Sequence, residues 1–233
     1  MIKLVDILTE GVYDPGIFKA VFTAGGPGSG KSYTASTLFG MPEKMPYVSA
    51  QGLKGVNSDQ AFEAYMKKAN MPLDLEKLVG KDKEVAAQIR DKAKKATAKR
   101  MNQFINSKLG MLIDGTGKNY TKIVKYKRRL TVEGYDCYMI FVNTDLKVAL
   151  ERNNNRERKV PVEIVKKAWK DVNQNLGAYQ QLFGASNMLI VDNSEYKEFA
   201  EVIKSKAREF VNRPIQNYIA KKWIRKELEL KKS

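Results

Sequence analysis

The chain has 233 residues, a length that suits one α/β domain with additions and provides enough chain for a sizeable core. It contains no histidine and one cysteine, Cys137, which lies in an apolar run and is expected to be a small buried side chain. This composition excludes a Ser-His-Asp triad, a Cys-His nucleophile, a disulfide within the chain and a plausible zinc site. A general base must therefore be a carboxylate, a lysine or a water molecule.

The net charge of +16 is concentrated in two segments. Residues 81–130 contain fifteen Lys/Arg against four Asp/Glu, and residues 197–233 contain eleven against five. This clustering predicts a polyanionic partner, either a nucleic acid or a phosphorylated small molecule, unless the lysines simply form solvated helix faces. No apolar run reaches the ~20 residues that span a bilayer. Residues 1–8 are too short and charged for a signal peptide and predict an amphipathic helix, so we expect a cytoplasmic protein without a membrane partner.

Strands and helices alternate along the predicted secondary structure. The apolar runs predict strands at 18–24, 53–57, 109–114, 137–142 and 188–191. Helical periodicity predicts helices at 31–38, 60–69, 84–107 and 120–130, a helix from 145 through 152, a long helix at 162–183, and helical character over 196–233 with a break at Pro214. This alternation favours a parallel sheet with helices on both faces, and no linker is long enough to separate two domains.

The segment between the first strand and the first helix satisfies the phosphate-loop pattern G-x-x-x-x-G-K-[ST]. Glycines let successive backbone N–H groups form a concave anion site, and the helix that follows directs its free N–H groups at the same phosphates. Lys31 is expected to reach the β- and γ-phosphates of ATP or GTP, and the Ser32 hydroxyl is expected to bind Mg²⁺. A glycine-rich turn without a ligand is the alternative. The predicted nucleotide-binding residues are Gly25, Gly26, Pro27, Gly28, Ser29, Gly30, Lys31, Ser32 and Tyr33.

Carboxylates follow two other predicted strands, and ligands of parallel sheets bind beyond the carboxyl ends of the strands. Asp59 is predicted to orient an acceptor hydroxyl and take its proton, although Ser58 or Asp59 could instead cap the next helix. Asp114 ends an apolar strand and is predicted to hold Mg²⁺ directly or through water. Asp114 could instead serve only to hold the loop at 115–117.

A run of arginines at 152–158 predicts a cationic lid. Arg152 and Arg156 are spaced i, i+4 and share one face if the helix continues that far. Planar guanidinium groups can clamp the charge that develops on a transferred phosphoryl group. A solvated charge run, with Glu151 and Glu157 as ion-pair partners, is the alternative.

Taken in order, these motifs resemble the zeta-toxin and polynucleotide-kinase branch of P-loop kinases. Residues 18–194 carry the resemblance, which is greatest to the small zeta-toxin-type proteins of tailed bacteriophages. A phage protein of this kind is expected to act in the host cytoplasm. It implies a three-layer P-loop nucleotide-kinase-like fold with a central five-stranded parallel sheet, and ATP or GTP with Mg²⁺. It also implies that Lys31 is the phosphate-loop lysine, Ser32 the metal-binding hydroxyl and Asp59 the base. The lid arginines of the family would be Arg152, Arg156 and Arg158.

The resemblance implies a kinase domain at 18–194, between an N-terminal helical extension at 1–17 and a C-terminal basic helical extension at 195–233. Members of this branch often have a basic residue three positions after the base, but Phe62 occupies that position here. Either Arg90 or a neighbouring lysine is therefore expected to contact the acceptor, or the acceptor differs. The implied acceptors range from a nucleic-acid 5′-hydroxyl, which the basic charge favours, to a UDP-linked amino sugar. A nucleotide-gated nucleic-acid-binding protein with weak ATPase activity is the alternative from another class. The predicted acceptor-binding residues are Asn57, Asp59, Arg90, Thr116 and Arg158.

Overall fold

A computed structural model describes residues 11–42, 47–195 and 198–232. The helix predicted at 1–8 lies outside the described residues. A 3-10 turn at Gly11–Tyr13 precedes the first strand. Within the described ranges, no helix is both long and apolar enough to cross a membrane.

Five parallel strands form one sheet in the order β2-β3-β1-β4-β5, which confirms the predicted three-layer fold. The central strands β1 and β4 are almost wholly buried, as expected of a parallel sheet covered on both faces. The strand bounds are Lys19–Ala24 (β1), Lys54–Val56 (β2), Met111–Asp114 (β3), Asp136–Asn143 (β4) and Met188–Asp192 (β5).

Nine helices surround the sheet in the described part of the chain. Most begin and end within a few residues of the predicted bounds. The helices are Lys31–Phe39 (α1), Ser58–Lys68 (α2), Gly80–Asn106 (α3), Tyr120–Val132 (α4), Leu146–Asn154 (α5), Val162–Gln174 (α6), Leu176–Phe183 (α7), Glu201–Asn212 (α8) and Tyr218–Leu230 (α9).

One helix prediction is wrong, and one conditional expectation is not met, in ways that matter for the site. The single helix predicted at 162–183 is interrupted at Asn175, whose amide donates to the carbonyls of Gly117 and Lys118 at 3.1 Å each. This break lets the helix pair hold the loop after β3. The helix after β4 ends at Asn154, so Arg156 lies beyond it and does not share a helical face with Arg152.

The core is divided between the two faces of the sheet. One face is covered by the C-terminal half of α3 together with α4, α6, α7 and α9, which pack around Phe22, Met111 and Met139. The other face is covered by α1 and α8, which pack on Val21 and Ile140. A smaller cluster joins α2 to the N-terminal half of α3. These layers leave the carboxyl ends of the strands accessible between α1, α2 and α5.

Two glycines bring the loop before β1 against the start of β3. A Cβ added to Gly110 would lie 2.3 Å from the carbonyl oxygen of Gly16, which is closer than real Cβ contacts. This approach fixes the two strands side by side, with Thr23 opposite Asp114 at their carboxyl ends.

Gly110→Ala is therefore expected to destabilise the protein by about 1–3 kcal/mol, the usual cost of overpacking a rigid backbone contact. Gly177→Ala is the matched control, because Gly177 lies in α7 with nothing within 4 Å of an added Cβ. The control should be neutral or stabilising, since alanine favours a helix. Thermal unfolding midpoints measure both, and equal midpoints would contradict the close packing at Gly110.

Candidate active site

The phosphate loop is shaped by glycines that no other residue could replace. Gly28 and Gly30 have φ of +78° and +83°, in the left-handed region that side chains rarely adopt. An added Cβ would lie 2.0 Å from the Ala149 carbonyl oxygen at Gly28, and 2.1 Å from the Asn193 amide nitrogen at Gly30. The loop backbone therefore packs directly against Ala149 and Asn193, and α1 begins directly after Gly30.

The loop is held from behind by side chains that follow β4 and β5. The Ser29 carbonyl accepts hydrogen bonds from the Thr144 hydroxyl at 3.0 Å and from the Asn193 amide at 2.8 Å. The Trp169 indole in turn donates to the Thr144 carbonyl at 2.7 Å. The sequence predicts no role for Asn193, Thr144 or Trp169, for which no local pattern exists.

Lys31 lies within the loop at the start of α1. Its Nζ donates to the carbonyls of Gly25 at 2.8 Å and Gly26 at 3.1 Å. Burial lowers the pKa of Lys31, and the carboxylates of Asp114 and Asp59 partly oppose that shift. The lysine is thus a desolvated cation within the field of both acids, which is where the predicted roles require it.

Asp114 is fixed by two hydrogen-bond donors at the end of β3. The Thr23 hydroxyl donates to one carboxylate oxygen at 2.7 Å, and the Asn57 amide donates to the other at 2.6 Å. Burial raises the pKa of Asp114, against the lowering effects of Lys31 and of the Thr23 hydrogen bond. A buried carboxylate of this kind gains stability from a nearby cation, so its position fits the predicted metal role.

Asn57 also caps α2 through the other end of its amide. Its Oδ1 accepts from the backbone N–H of Asp59 at 2.7 Å, as an N-cap residue does. The alternative that Ser58 or Asp59 caps this helix is therefore wrong. The Asp59 side chain is left available for other contacts, and Asn57 connects the backbone N–H of Asp59 to the Asp114 carboxylate.

Asp59 lies between two arginines. Its Oδ1 accepts from Arg90 at 2.5 Å, and its Oδ2 accepts from Arg158 at 2.8 Å. The Arg90 guanidinium lies 3.8 Å from the centre of the Phe62 ring, so Phe62 supports the arginine on α3. Burial alone would raise the pKa of Asp59, but Arg158 and Arg90 outweigh it and hold that pKa below its usual value.

The three lid arginines have different environments. Arg152 donates to the Asn193 carbonyl at 2.7 Å, and Arg158 lies 2.7 Å from Glu63 as well as binding Asp59. Arg156 has two buried nitrogens, Nε and Nη2, without a hydrogen-bond partner. Burial, followed by repulsion from Arg158, lowers the pKa of Arg156. Its unsatisfied donors point to an anionic ligand as their partner.

Most of the charged groups described above line one cavity of about 400 Å³, whereas Arg90 contacts Asp59 from outside its lining. Thr116 does not line this cavity, and its carbonyl instead accepts from the N–H of Gly25 at 3.0 Å. Tyr33 is 45% exposed and packs against Phe199. The predicted site residues that do line the cavity are Gly28, Gly30, Lys31, Ser32, Asn57, Asp59, Asp114, Arg152, Arg156 and Arg158.

Several solved structures of similar fold are distant in sequence. A candidate kinase of Chloroflexus aurantiacus has a TM-score of 0.51 at 14% identity, with 82% of this chain and 97% of that chain covered. The ATP-bound AvrRxo1-ORF1:AvrRxo1-ORF2 structure has a TM-score of 0.59 at 14% identity, with coverage of 81% and 58%. The PezAT toxin-antitoxin structure of Streptococcus pneumoniae has a TM-score of 0.50 at 13% identity, with coverage of 89% and 92%.

No curated protein matches the sequence. The zeta toxin family model matches residues 16–203, which is most of the chain and includes every residue that lines the cavity. Since a match of this extent covers the whole sheet and its phosphate loop, the chain belongs to the zeta toxin family.

Proposed function

We propose that this protein is a kinase that transfers the γ-phosphoryl group of ATP or GTP to a hydroxyl group. One observation carries the proposal: Lys31 on the phosphate loop and Asp59 on α2 line the same cavity, with three arginines around it. Phosphoryl transfer needs a nucleotide site and a base for the acceptor hydroxyl that open onto the same cavity. It also needs cations near the phosphoryl oxygens, where negative charge develops. A glycine-rich turn without a ligand explains none of these placements.

The donor end of the cavity fits a nucleotide triphosphate with Mg²⁺. The phosphate loop and the N-terminus of α1 offer backbone N–H groups to the phosphates, and Lys31 is next to them. The exposed Ser32 hydroxyl and the Asp114 carboxylate would hold Mg²⁺, a cation that commonly binds one or two protein groups besides phosphates. The bound cation would neutralise charge on the β- and γ-phosphates.

The acceptor end contains the base. Asp59 remains ionised because Arg90 and Arg158 bind its oxygens, so it can accept a hydrogen bond from an acceptor hydroxyl. The hydroxyl oxygen forms a bond to the γ-phosphorus while the bond to the bridging β–γ oxygen breaks, and the hydroxyl proton passes to Asp59. Arg156 directs its free donors at the transferred group, and Arg152 lies beside the phosphate loop.

The acceptor is proposed to be a compact molecule, with a UDP-linked amino sugar as the leading example from the family resemblance. Apolar residues, among them Met41, Tyr47 and Val56, line the cavity together with the charged groups. In residues 81–130 most of the basic side chains are exposed, and none of them lines this cavity. A nucleic-acid 5′-hydroxyl is the second candidate, favoured by the net charge of +16. Phage origin and action in a host cytoplasm stay predictions.

The first prediction concerns the reaction. Labelled γ-phosphate from ATP or GTP should appear in one acceptor of a panel of UDP-sugars, nucleosides, nucleoside monophosphates and 5′-hydroxyl DNA or RNA oligonucleotides. Lys31→Ala should remove the transfer, since the cation at the phosphates is lost. Nucleotide hydrolysis stimulated by nucleic acid, with no labelled acceptor, would favour the nucleotide-gated binding protein instead.

The second prediction separates the base from the donor site. Asp59→Asn should lower kcat by about 10²–10⁴, the usual contribution of a general base, while ATP affinity stays nearly unchanged. Glu157→Gln removes an exposed carboxylate from the lid and should leave kcat close to that of the wild type. Turnover retained in Asp59→Asn would show that Asp59 is not the base.

The third prediction concerns pH. Arg90→Gln removes one of the two cations that lower the pKa of Asp59, so that pKa should rise. The carboxylate is the active form, and the acid limb of kcat/KM should therefore move to higher pH. Carboxyl carbon NMR of Asp59 in the free protein measures the same shift without activity. Arg152→Gln, an equal charge change at an arginine that binds Asn193, should leave the Asp59 titration in place.

A further inference from the structure

Parts of the two basic segments of the sequence meet on one side of the molecule. Thirteen Lys/Arg and two Asp/Glu lie in residues 93–106 of α3, in α4 and in α9, whereas α8, also within the second segment, covers the other face of the sheet. Helices α3, α4 and α9 pack in the same core cluster on one face of the sheet. We propose that their outer surface, here called the basic face, binds the phosphate backbone of nucleic acid at a place separate from the cavity.

Helix α4 is the centre of the basic face. It contains five Lys/Arg and no Asp/Glu over its 13 residues. Ile123 and Leu130 are buried against the sheet, whereas Lys125 and Arg128 are exposed. An unbalanced cationic surface of this kind repels itself unless an anion neutralises it, and nucleic acid supplies closely spaced phosphates.

Helix α3 extends the basic face on one side. Lys95 and Lys99 are exposed one turn apart, while Ala93 and Met101 are buried. The Arg129 guanidinium donates to the Asn102 side chain at 2.9 Å, which places the two helices edge to edge. The lysines of α3 and the cations of α4 therefore belong to one continuous surface.

Helix α9 extends the basic face on the other side. The Asn217 amide donates to the Thr131 carbonyl at 2.8 Å, so α9 begins where α4 ends. Trp223 packs on Phe18 with ring centres 5.4 Å apart, and Lys222 and Arg225 are exposed. The buried side chains of these helices face the sheet, and the exposed cations of α9 continue the charged surface of α4.

The basic face is distinct from the acceptor site. Arg90 is the α3 residue that contacts Asp59, and neither Lys95 nor Lys99 lines the cavity. Nucleic acid bound there would be contacted through its phosphates, without sequence readout and without presenting a 5′-end to Asp59. The inference does not depend on the proposed kinase activity.

Salt-dependent binding of labelled 20-nucleotide single-stranded RNA and DNA to the full chain tests the inference. Affinity should fall steeply between 50 and 200 mM salt, because each neutralised phosphate releases counterions. The triple variant Lys95→Gln/Lys125→Gln/Arg128→Gln should bind about tenfold or more weakly at 50 mM, and its log–log salt slope should be shallower by about 2. Comparing the affinities for the RNA and the DNA strand shows which of the two nucleic acids the basic face binds.

A matched control removes the same charge from exposed lysines elsewhere, as Lys147→Gln/Lys167→Gln/Lys206→Gln. Binding by the control should stay within about twofold of the wild type. Equal loss in both triple variants, or tighter binding to anionic vesicles than to either strand, would overturn the inference. Arg156→Gln removes a cation from the cavity and should retain nucleic-acid binding, and loss of binding in that variant would place the nucleic acid in the cavity instead. Phosphoryl transfer by the first triple variant reports separately on the kinase proposal.

Discussion

The side chain of Asn57 is the contact on which the geometry of the site depends. Its carbonyl oxygen caps α2 at the N–H of Asp59, and its amide nitrogen donates to Asp114 at the end of β3. One planar group therefore sets the distance between Asp59, the proposed base, and Asp114, the proposed metal ligand. Both of its hydrogen-bonding ends are used, so an aspartate could not replace it: a carboxylate can accept from Asp59 N–H but cannot donate to Asp114. The strand register that places Thr23 opposite Asp114 supplies the second donor.

The cavity carries an excess of cations that phosphates would balance. Arg158 forms ion pairs with both Asp59 and Glu63, whereas two buried N–H donors of Arg156 have no acceptor. Leaving such donors unsatisfied costs free energy, on the order of 1–3 kcal/mol for each buried group. A structure tolerates that cost where a ligand restores the missing bonds, and this is why we propose Arg156 as a contact of the transferred phosphoryl group. Lys31, by contrast, already has acceptors: its Nζ donates to loop carbonyls, and the phosphates of a nucleotide would replace them as its partners.

Local patterns in the sequence predicted the strands, the phosphate loop and both acids, because each depends on neighbours within a few residues. The predictions that fail depend on distant contacts. The break at Asn175 is made by hydrogen bonds to Gly117 and Lys118, more than 50 residues away in the chain, and no signal in 162–183 encodes it. Phe62 appeared to be a departure from the family pattern. The structure shows it stacked under Arg90, so the guanidinium comes from another helix to the same carboxylate.

The distribution of charge separates two properties that the sequence alone combined. A net charge of +16 suggested that nucleic acid is the acceptor, since sequence counting cannot tell which side of a helix a lysine occupies. In the folded chain, Arg90 on α3 contacts Asp59, while Lys95 and Lys99 on the same helix are exposed and outside the cavity. Exposed charge acts through long-range attraction and counterion release, whereas Arg90 acts over a single hydrogen bond. The proposed binding of a polyanion and the proposed choice of an acceptor hydroxyl therefore depend on different residues of this fold, so a substitution can change one without the other.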